Sequence, residues 1–392
     1  MGARFTCSPT VSYSLGGPKA RTSPLPAPAS SVGGDRLAAR GLQVTASATA
    51  APPAPRATAW LVADVDTGKV LAACNVHVPL APASSLKVLT ALALMHRIDA
   101  RARYTARPED AAVDGTKVGM VPGSVYTAAD LWHALLMSSA NDAATGLAAM
   151  AGGTDPATAR MLETARALGA ADTTARNTSG LDEPSQASSA YDLALFGRAA
   201  LADPEITRYV RTRSYGFPGP GTAVAAPGRK SFQIQNHDRL LYNYPGALGI
   251  KNGWTSTTGG SFVGAAERHG RRLIVTVLAA DPQTWRMCAS LLDWGFAATT
   301  ADAEPVGTLV TGPPQKAPPA AEVARTPGGV RNDPLGAGEM AALGVGAASL
   351  LLAGGLWRRK AHSPRRDGSG HRTGTDRTGT DLDDTWRRRR YR

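Results

Sequence analysis

Three short polar clusters in this 392-residue chain carry side chains suited to nucleophilic chemistry. The segment Pro82-Ala83-Ser84-Ser85-Leu86-Lys87 sets a serine three residues before a lysine. On a helix that spacing puts Lys87 one turn on, over the same face as Ser84. A serine hydroxyl is a weak nucleophile at its free pKa and needs a neighbouring base. A lysine amine serves when burial or nearby cations depress its pKa. The helix start also offers a backbone N–H to a developing oxyanion. The second cluster, Ser138-Ser139-Ala140-Asn141-Asp142-Ala143-Ala144, is a polar break between two apolar helical stretches. It can project the Ser139 hydroxyl and the Asn141 amide into a cleft. The third, Leu248-Gly249-Ile250-Lys251-Asn252-Gly253-Trp254-Thr255, is an apolar strand end with a lysine, then a glycine that lets a ligand backbone approach. Each cluster alone has an ordinary structural reading: a helix start, a capped helix junction, an Asn-Gly hairpin turn. Their joint occurrence, in this order, points to one site.

The surrounding pattern supplies elements to hold them. Ala59–Val65 reads as a strand, Asp66-Thr67-Gly68 as a turn and Lys69–Ala73 as the returning strand. Helices are predicted over about 85–97, 127–137, 142–151, 155–169 and 190–202, the second opening at Thr127 with Asp130 three residues on. Strands return at about 230–235, 247–254, 260–267 and 272–280, and a helix over 283–298 closes the domain. Strands at both ends with helices between give an α+β domain over 57–303: an antiparallel sheet flanked by helices, with a helical subdomain.

Outside that domain the composition changes. Residues 1–56 lack apolar periodicity and are expected to be disordered; no apolar run of the kind an export signal needs is evident. Residues 304–334, with Pro-Pro-Gln-Lys-Ala-Pro-Pro, read as a stalk. A transmembrane helix is expected over 335–357: Met340–Trp357 is free of charge and as a helix would span about 27 Å, close to the hydrocarbon thickness. Arg358-Arg359-Lys360 follow it, so the positive-inside rule puts the basic tail 358–392 in the cytoplasm and the domain outside the cell. The net charge of +12 belongs to the ends: residues 1–56 hold six Arg/Lys against one Asp, and 357–392 twelve against five. The remainder is balanced, which disfavours a nucleic-acid partner. Cys7, Cys74 and Cys288 form no metal-ligand spacing; a Cys74–Cys288 disulfide and two separate buried thiols both remain open.

Taken together, Ser84-x-x-Lys87, Ser139-x-Asn141 and Lys251-Asn252-Gly253 resemble the serine-active penicillin-binding and β-lactamase superfamily. Asn177-Thr178-Ser179-Gly180-Leu181-Asp182 and Tyr244-Pro245-Gly246, with Ser138–Ala144, are similar to the low-molecular-mass D-alanyl-D-alanine carboxypeptidases, peptidase family S11. The resemblance covers about 57–300. It implies that Ser84 is acylated by a D-Ala-D-Ala stem peptide, that Lys87 is its general base, and that Ser139 relays the proton to the leaving nitrogen. It further implies that Asn141 holds the substrate amide, that Lys251 offers positive charge to the terminal carboxylate, that Asn252, Gly253, Trp254 and Thr255 line the substrate site, and that backbone N–H groups of Ser84 and Trp254 form the oxyanion hole. β-Lactams would be covalent inhibitors, and no metal or cofactor is implied. Asn252 departs from the family's threonine, although its amide can still hydrogen-bond a carboxylate. His237 reads as a strand-edge residue, not a base.

Two other functions fit parts of this pattern. A β-lactamase would need a deacylating glutamate in a Glu-x-x-Leu-Asn stretch, which is not found between the second and third clusters. A catalytically inert, anchored peptidoglycan-binding protein has Asn252 in its favour and the intact Ser84, Lys87, Ser139, Asn141 and Lys251 against it.

Overall fold

In the computed structural model the structure describes residues 10–13, 21–24, 31–225 and 227–312. Its centre is a seven-stranded antiparallel sheet. The strands are β1 (Leu42–Val44), β2 (Ala57–Asp64), β3 (Lys69–Cys74), β4 (Ala247–Thr255), β5 (Gly259–Arg268), β6 (Arg271–Ala280) and β7 (Gly307–Thr308). The order is β4-β5-β6-β2-β3-β7, with β1 also paired to β3. Every residue of β2 is buried, because both faces of the sheet are covered. The expected α+β class and antiparallel sheet are therefore what the chain adopts.

Alternation along the strands sorts their side chains into two cores. Leu61, Val263 and Ile274 face one core with Leu86, Trp132 and Phe196. Trp60, Val62, Val275 and Val277 face the other with Leu291 and Trp294. The first core is roofed by α1 (Lys87–Leu94), α2 (Ala128–Met137), α3 (Asn141–Met150), α4 (Thr154–Ala167), α5 (Ala190–Ala202) and α6 (Pro204–Arg211); the second by α7 (Thr284–Ala298). The capping box at the start of α2 forms: Asp130 N donates to Thr127 Oγ1 at 3.1 Å, and Thr127 N donates to Asp130 Oδ2 at 2.8 Å. Helix α6 was not foreseen, although Asp203-Pro204 is a cap followed by a first-turn proline.

Both domain boundaries move outward from the sequence expectation. Residues 31–56, expected to be disordered, pack on the sheet: β1 pairs with β3, Leu37 is buried, and Trp294 Nε1 donates to Ala50 O at 2.8 Å. The expected stalk begins later than 304. Val306 and Leu309 are buried, β7 pairs with β3, and Tyr191 Oη donates to Thr308 O at 2.8 Å. Both segments cover the open edge of β3 through backbone pairing, which needs few apolar residues and leaves little periodic signal. Cys288 is a free, buried thiol, so the Cys74–Cys288 bridge is not formed. Residues 335–357 and the basic tail lie outside the described residues. Among those described, no helix is long and apolar enough to cross a membrane.

Candidate active site

Ser84 lies in a 3-10 turn, Ala83–Leu86, that runs directly into α1. The sequence reading had one helix from about 85; the tighter turn has three residues per turn, so Ser84 and Lys87 eclipse one another. Lys87 Nζ stands 2.9 Å from Ser84 Oγ. The neighbouring Ser85 is excluded as nucleophile, since its buried hydroxyl donates to Pro82 O at 2.6 Å.

Lys87 is fully buried and meets three oxygens. Beyond Ser84, its Nζ donates to Asn141 Oδ1 at 2.7 Å and to Ser179 O at 2.6 Å. An amide oxygen and a peptide carbonyl can only accept. A neutral amine has two N–H donors and one lone pair; with both donors committed to those acceptors, the lone pair of a neutral Lys87 would face Ser84 Oγ. Burial holds the Lys87 pKa well below the usual lysine range, the Lys251 charge lowers it further, and Asp142 opposes both. Burial disfavours the charged form, which is the form that cannot accept a proton.

The cluster between α2 and α3 delivers the second group. Ser139 takes a positive φ of 62° to turn the chain between the helices, and Ala83 beside Ser84 takes 48°. Such backbone is costly for non-glycine residues and recurs where geometry is constrained by function. Ser139 is 6% exposed, and its hydroxyl makes no hydrogen bond among the described residues. Asn141 is fixed at both ends of its amide, since Nδ2 also donates to Asp114 O at 2.7 Å. Its observed contacts are with the lysine and the scaffold, leaving one N–H for a ligand. Asp142 accepts from the backbone N–H groups of Val118, Gly119 and Met120, holding that loop to the start of α3.

A contributor that motif reasoning assigned no role is the loop Asn177–Leu181. Asn177 Oδ1 accepts from Ser179 N, Ser179 Oγ and Gly180 N. Gly180, at φ 81°, lies so near the Ala83–Leu86 turn that a Cβ would stand 1.9 Å from Ala83 O. The loop thus carries the Ser179 carbonyl to Lys87. The side chain of Asn177, followed by Thr-Ser-Gly, was the sequence signal for such a tight Asx turn.

Strand β4 forms the other wall. A Cβ on Gly253 would lie 2.6 Å from Ser84 N, and Ser261 Oγ on the adjacent β5 donates to Pro82 O at 2.7 Å. Lys251 is 1% exposed; its Nζ donates to Asn252 O at 2.7 Å and to Asn252 Oδ1 at 3.2 Å. The asparagine oxygen therefore accepts from Lys251 Nζ, and its NH₂ makes no hydrogen bond among the described residues. Burial lowers the Lys251 pKa to about 7, while the nearby Asp238 carboxylate works to raise it. Trp254 is 60% exposed beside the cleft. Thr255, expected beside a substrate, pairs its hydroxyl with Thr258 Oγ1 at 2.7 Å and so closes the β4–β5 turn. His237 donates its backbone N–H to Met137 O at 2.8 Å and contacts neither Ser84 nor Lys87 through a side-chain hydrogen bond.

Residues 46–282 match the family model described as D-alanyl-D-alanine carboxypeptidase. The chain is 41% identical over 253 residues to D-alanyl-D-alanine carboxypeptidase DacB2 of Mycobacterium tuberculosis, covering 63% of this chain and 84% of that protein. It is 31% identical over 287 residues to D-alanyl-D-alanine carboxypeptidase DacC of Escherichia coli, covering 68% of each. It spans 60% of the length of D-alanyl-D-alanine carboxypeptidase DacF of Bacillus subtilis, at 28% identity. Among solved structures, a D-alanyl-D-alanine carboxypeptidase from M. tuberculosis superposes with a TM-score of 0.63 at 39% identity, covering 68% of this chain and 99% of that one. The Streptomyces K15 DD-transpeptidase shares the fold, with a TM-score of 0.59 at 22% identity over 62% of this chain and 99% of its own. On its motifs, its fold and these matches, the chain belongs to the D-alanyl-D-alanine carboxypeptidases, peptidase family S11.

Proposed function

We propose that the protein removes the terminal D-Ala from peptidoglycan stem peptides ending in D-Ala-D-Ala, through an acyl-enzyme on Ser84. The observation that carries this is the setting of Lys87, whose buried Nζ stands 2.9 Å from Ser84 Oγ, 2.7 Å from Asn141 Oδ1 and 2.6 Å from Ser179 O. Ser84 Oγ attacks the carbonyl of the penultimate D-Ala and its proton passes to Lys87. The C–O bond forms, the C–N bond breaks, and the proton reaches the leaving amine through Ser139. Backbone N–H groups of Ser84 and Trp254 receive the oxyanion. Lys251 and the Asn252 NH₂ bind the terminal carboxylate. Water then cleaves the ester and returns the proton to Ser84. β-Lactams would enter by the same first step and remain as the ester.

The test uses fluorescent penicillin on a denaturing gel, together with D-Ala release from a D-Ala-D-Ala peptide. A stable band with D-Ala release is expected for the native protein, no band for Ser84→Ala, and a retained band for Ser85→Ala. Rapid turnover of the penicillin would instead mean a β-lactamase, and no label an inert binder.

We further infer that the chain is tethered to the cell membrane by 335–357, with the catalytic domain outside and 358–392 in the cytoplasm. The support is the uncharged run Met340–Trp357 with Arg358-Arg359-Lys360 after it. Protease added to intact protoplasts should release a soluble, penicillin-labelled fragment. Protection of the domain would overturn the topology.

A further inference from the structure

Two adjacent residues of the second cluster hold one exposed loop, and they do so through its backbone. Asn141 donates its backbone N–H to Thr116 O at 2.7 Å and its Nδ2 to Asp114 O at 2.7 Å. Asp142 Oδ1 accepts from Val118 N at 3.1 Å and from Ala143 N at 3.0 Å. Its Oδ2 accepts from Gly119 N at 2.8 Å and from Met120 N at 2.9 Å. Residues 114–117 and Gly119 are exposed, so the loop has little apolar burial of its own to fix it. Asp142 is wholly buried, and a buried carboxylate is costly unless donors satisfy it. An asparagine could not take its place, because in either orientation its NH₂ would face two N–H donors.

We propose that Asp142 is a positioning residue for acylation: it holds the loop 114–120, whose Asp114 carbonyl orients the Asn141 amide so that Lys87 meets an oxygen. The proposal deepens the carboxypeptidase reading and rests on it. Turned over, the Asn141 amide would set its NH₂ against Lys87 Nζ, donor against donor. Asp114 O forbids the turn, because a carbonyl accepts only from the NH₂. Gly115 closes the loop onto that amide: a Cβ there would lie 2.8 Å from Asn141 Nδ2. The contacts thus run from Asp142 through the loop backbone to Asn141, and from Asn141 Oδ1 to Lys87 Nζ at 2.7 Å.

Asp142 also acts on Lys87 by charge. Burial depresses the Lys87 pKa most, the Lys251 cation on β4 lowers it further, and the Asp142 carboxylate raises it. The other groups against Nζ, which are Ser84 Oγ, Asn141 Oδ1 and Ser179 O, carry no charge. Removing the Asp142 charge therefore lowers the pH at which Lys87 becomes a neutral base. A residue that served only as scaffold would change the rate without moving that pH.

The experiment follows acylation of the full chain by fluorescent penicillin from acid to neutral pH, with a melting curve for each protein. Asp142→Asn should lower the plateau rate by about tenfold or more and move the rising acid limb to lower pH. Gly115→Ala keeps the Asp142 charge but presses on the Asn141 amide; it should lower the plateau and leave the limb in place. A native rate in either variant overturns the proposal. So does a slow Asp142→Asn whose limb has not moved to lower pH, or the lack of an acid limb in both the native chain and Asp142→Asn. Should Asp142→Asn not fold, Gly115→Ala decides: a slow rate with the native limb supports the proposal, and a native rate or a displaced limb sinks it. A native chain that takes no penicillin and releases no D-Ala from a D-Ala-D-Ala peptide sinks the carboxypeptidase reading itself; normal native labelling with an unaffected Asp142→Asn sinks only this one.

Discussion

A Cβ on Gly253 would come within 2.6 Å of the Ser84 backbone nitrogen and 2.9 Å of that of Ser85. Both are backbone atoms of the Ala83–Leu86 turn, which Ser85 and Ser261 tie to Pro82 O, so the turn cannot yield without moving Ser84. Gly253→Ala should fold, because the strand pairing is unaffected, yet acylate about a hundredfold more slowly, the usual effect of a displacement near 1 Å. Stopped-flow labelling with fluorescent penicillin, beside a melting curve, checks this. Native-rate labelling would show that the contact does not position Ser84.

The two lysines predict a bell-shaped pH profile. Lys87 must be neutral to accept the Ser84 proton, so kcat/KM should rise with pH as Lys87 loses its proton. Lys251 must be charged to hold a carboxylate, so kcat/KM should fall as pH passes its value of about 7. The buried Asp238 raises the Lys251 pKa. Asp238→Asn removes that support and should move the falling limb to lower pH, while the Lys87 donors and acceptors stay in place. An unmoved limb would separate Asp238 from Lys251.

Asn252 keeps its oxygen on Lys251 Nζ, 3.2 Å away, which removes the oxygen that would repel a carboxylate. Asn252→Thr should therefore change kcat/KM on a D-Ala-D-Ala peptide by about tenfold or less, roughly 1.4 kcal/mol. Lys251→Ala should cost considerably more, since hydrogen bonds to charged groups are worth about 1.5–3 kcal/mol. An inert native protein awakened by Asn252→Thr would favour the anchored binder.

The segment 306–310 belongs to the folded domain. Leu309 N donates to Gly68 O at 2.7 Å, Arg198 Nη1 donates to Leu309 O at 3.1 Å, and Val306 and Leu309 are buried. Each buried side chain is worth about 1.5–3 kcal/mol. A chain ending at 303 should then melt at least about 6 °C below one ending at 312. Equal melting temperatures would return the boundary to 303.

Much of the arrangement around Ser84 and Lys87 was legible in the sequence. Ser84-x-x-Lys87 specifies a face on one helical turn, and the alternation of 247–255, 259–268 and 271–280 specifies strands, because both signals are local. Thr127 and Asp130 fixed a helix start in the same way. What the sequence alone could not reveal depends on contacts between distant segments. Ser179 O reaches Lys87 across 92 residues and does so through a backbone carbonyl, which every residue possesses and no motif marks. The depressed pKa of Lys87 likewise comes from burial and from Lys251, 164 positions away. The placement of 31–56 and 306–310 on the β3 edge, the turn-bound hydroxyl of Thr255 and the orientation of Asn252 were decided in the same way. Periodicity records which face of an element is buried; only the packed chain determines which backbone groups meet there, and with them the protonation state on which the chemistry depends.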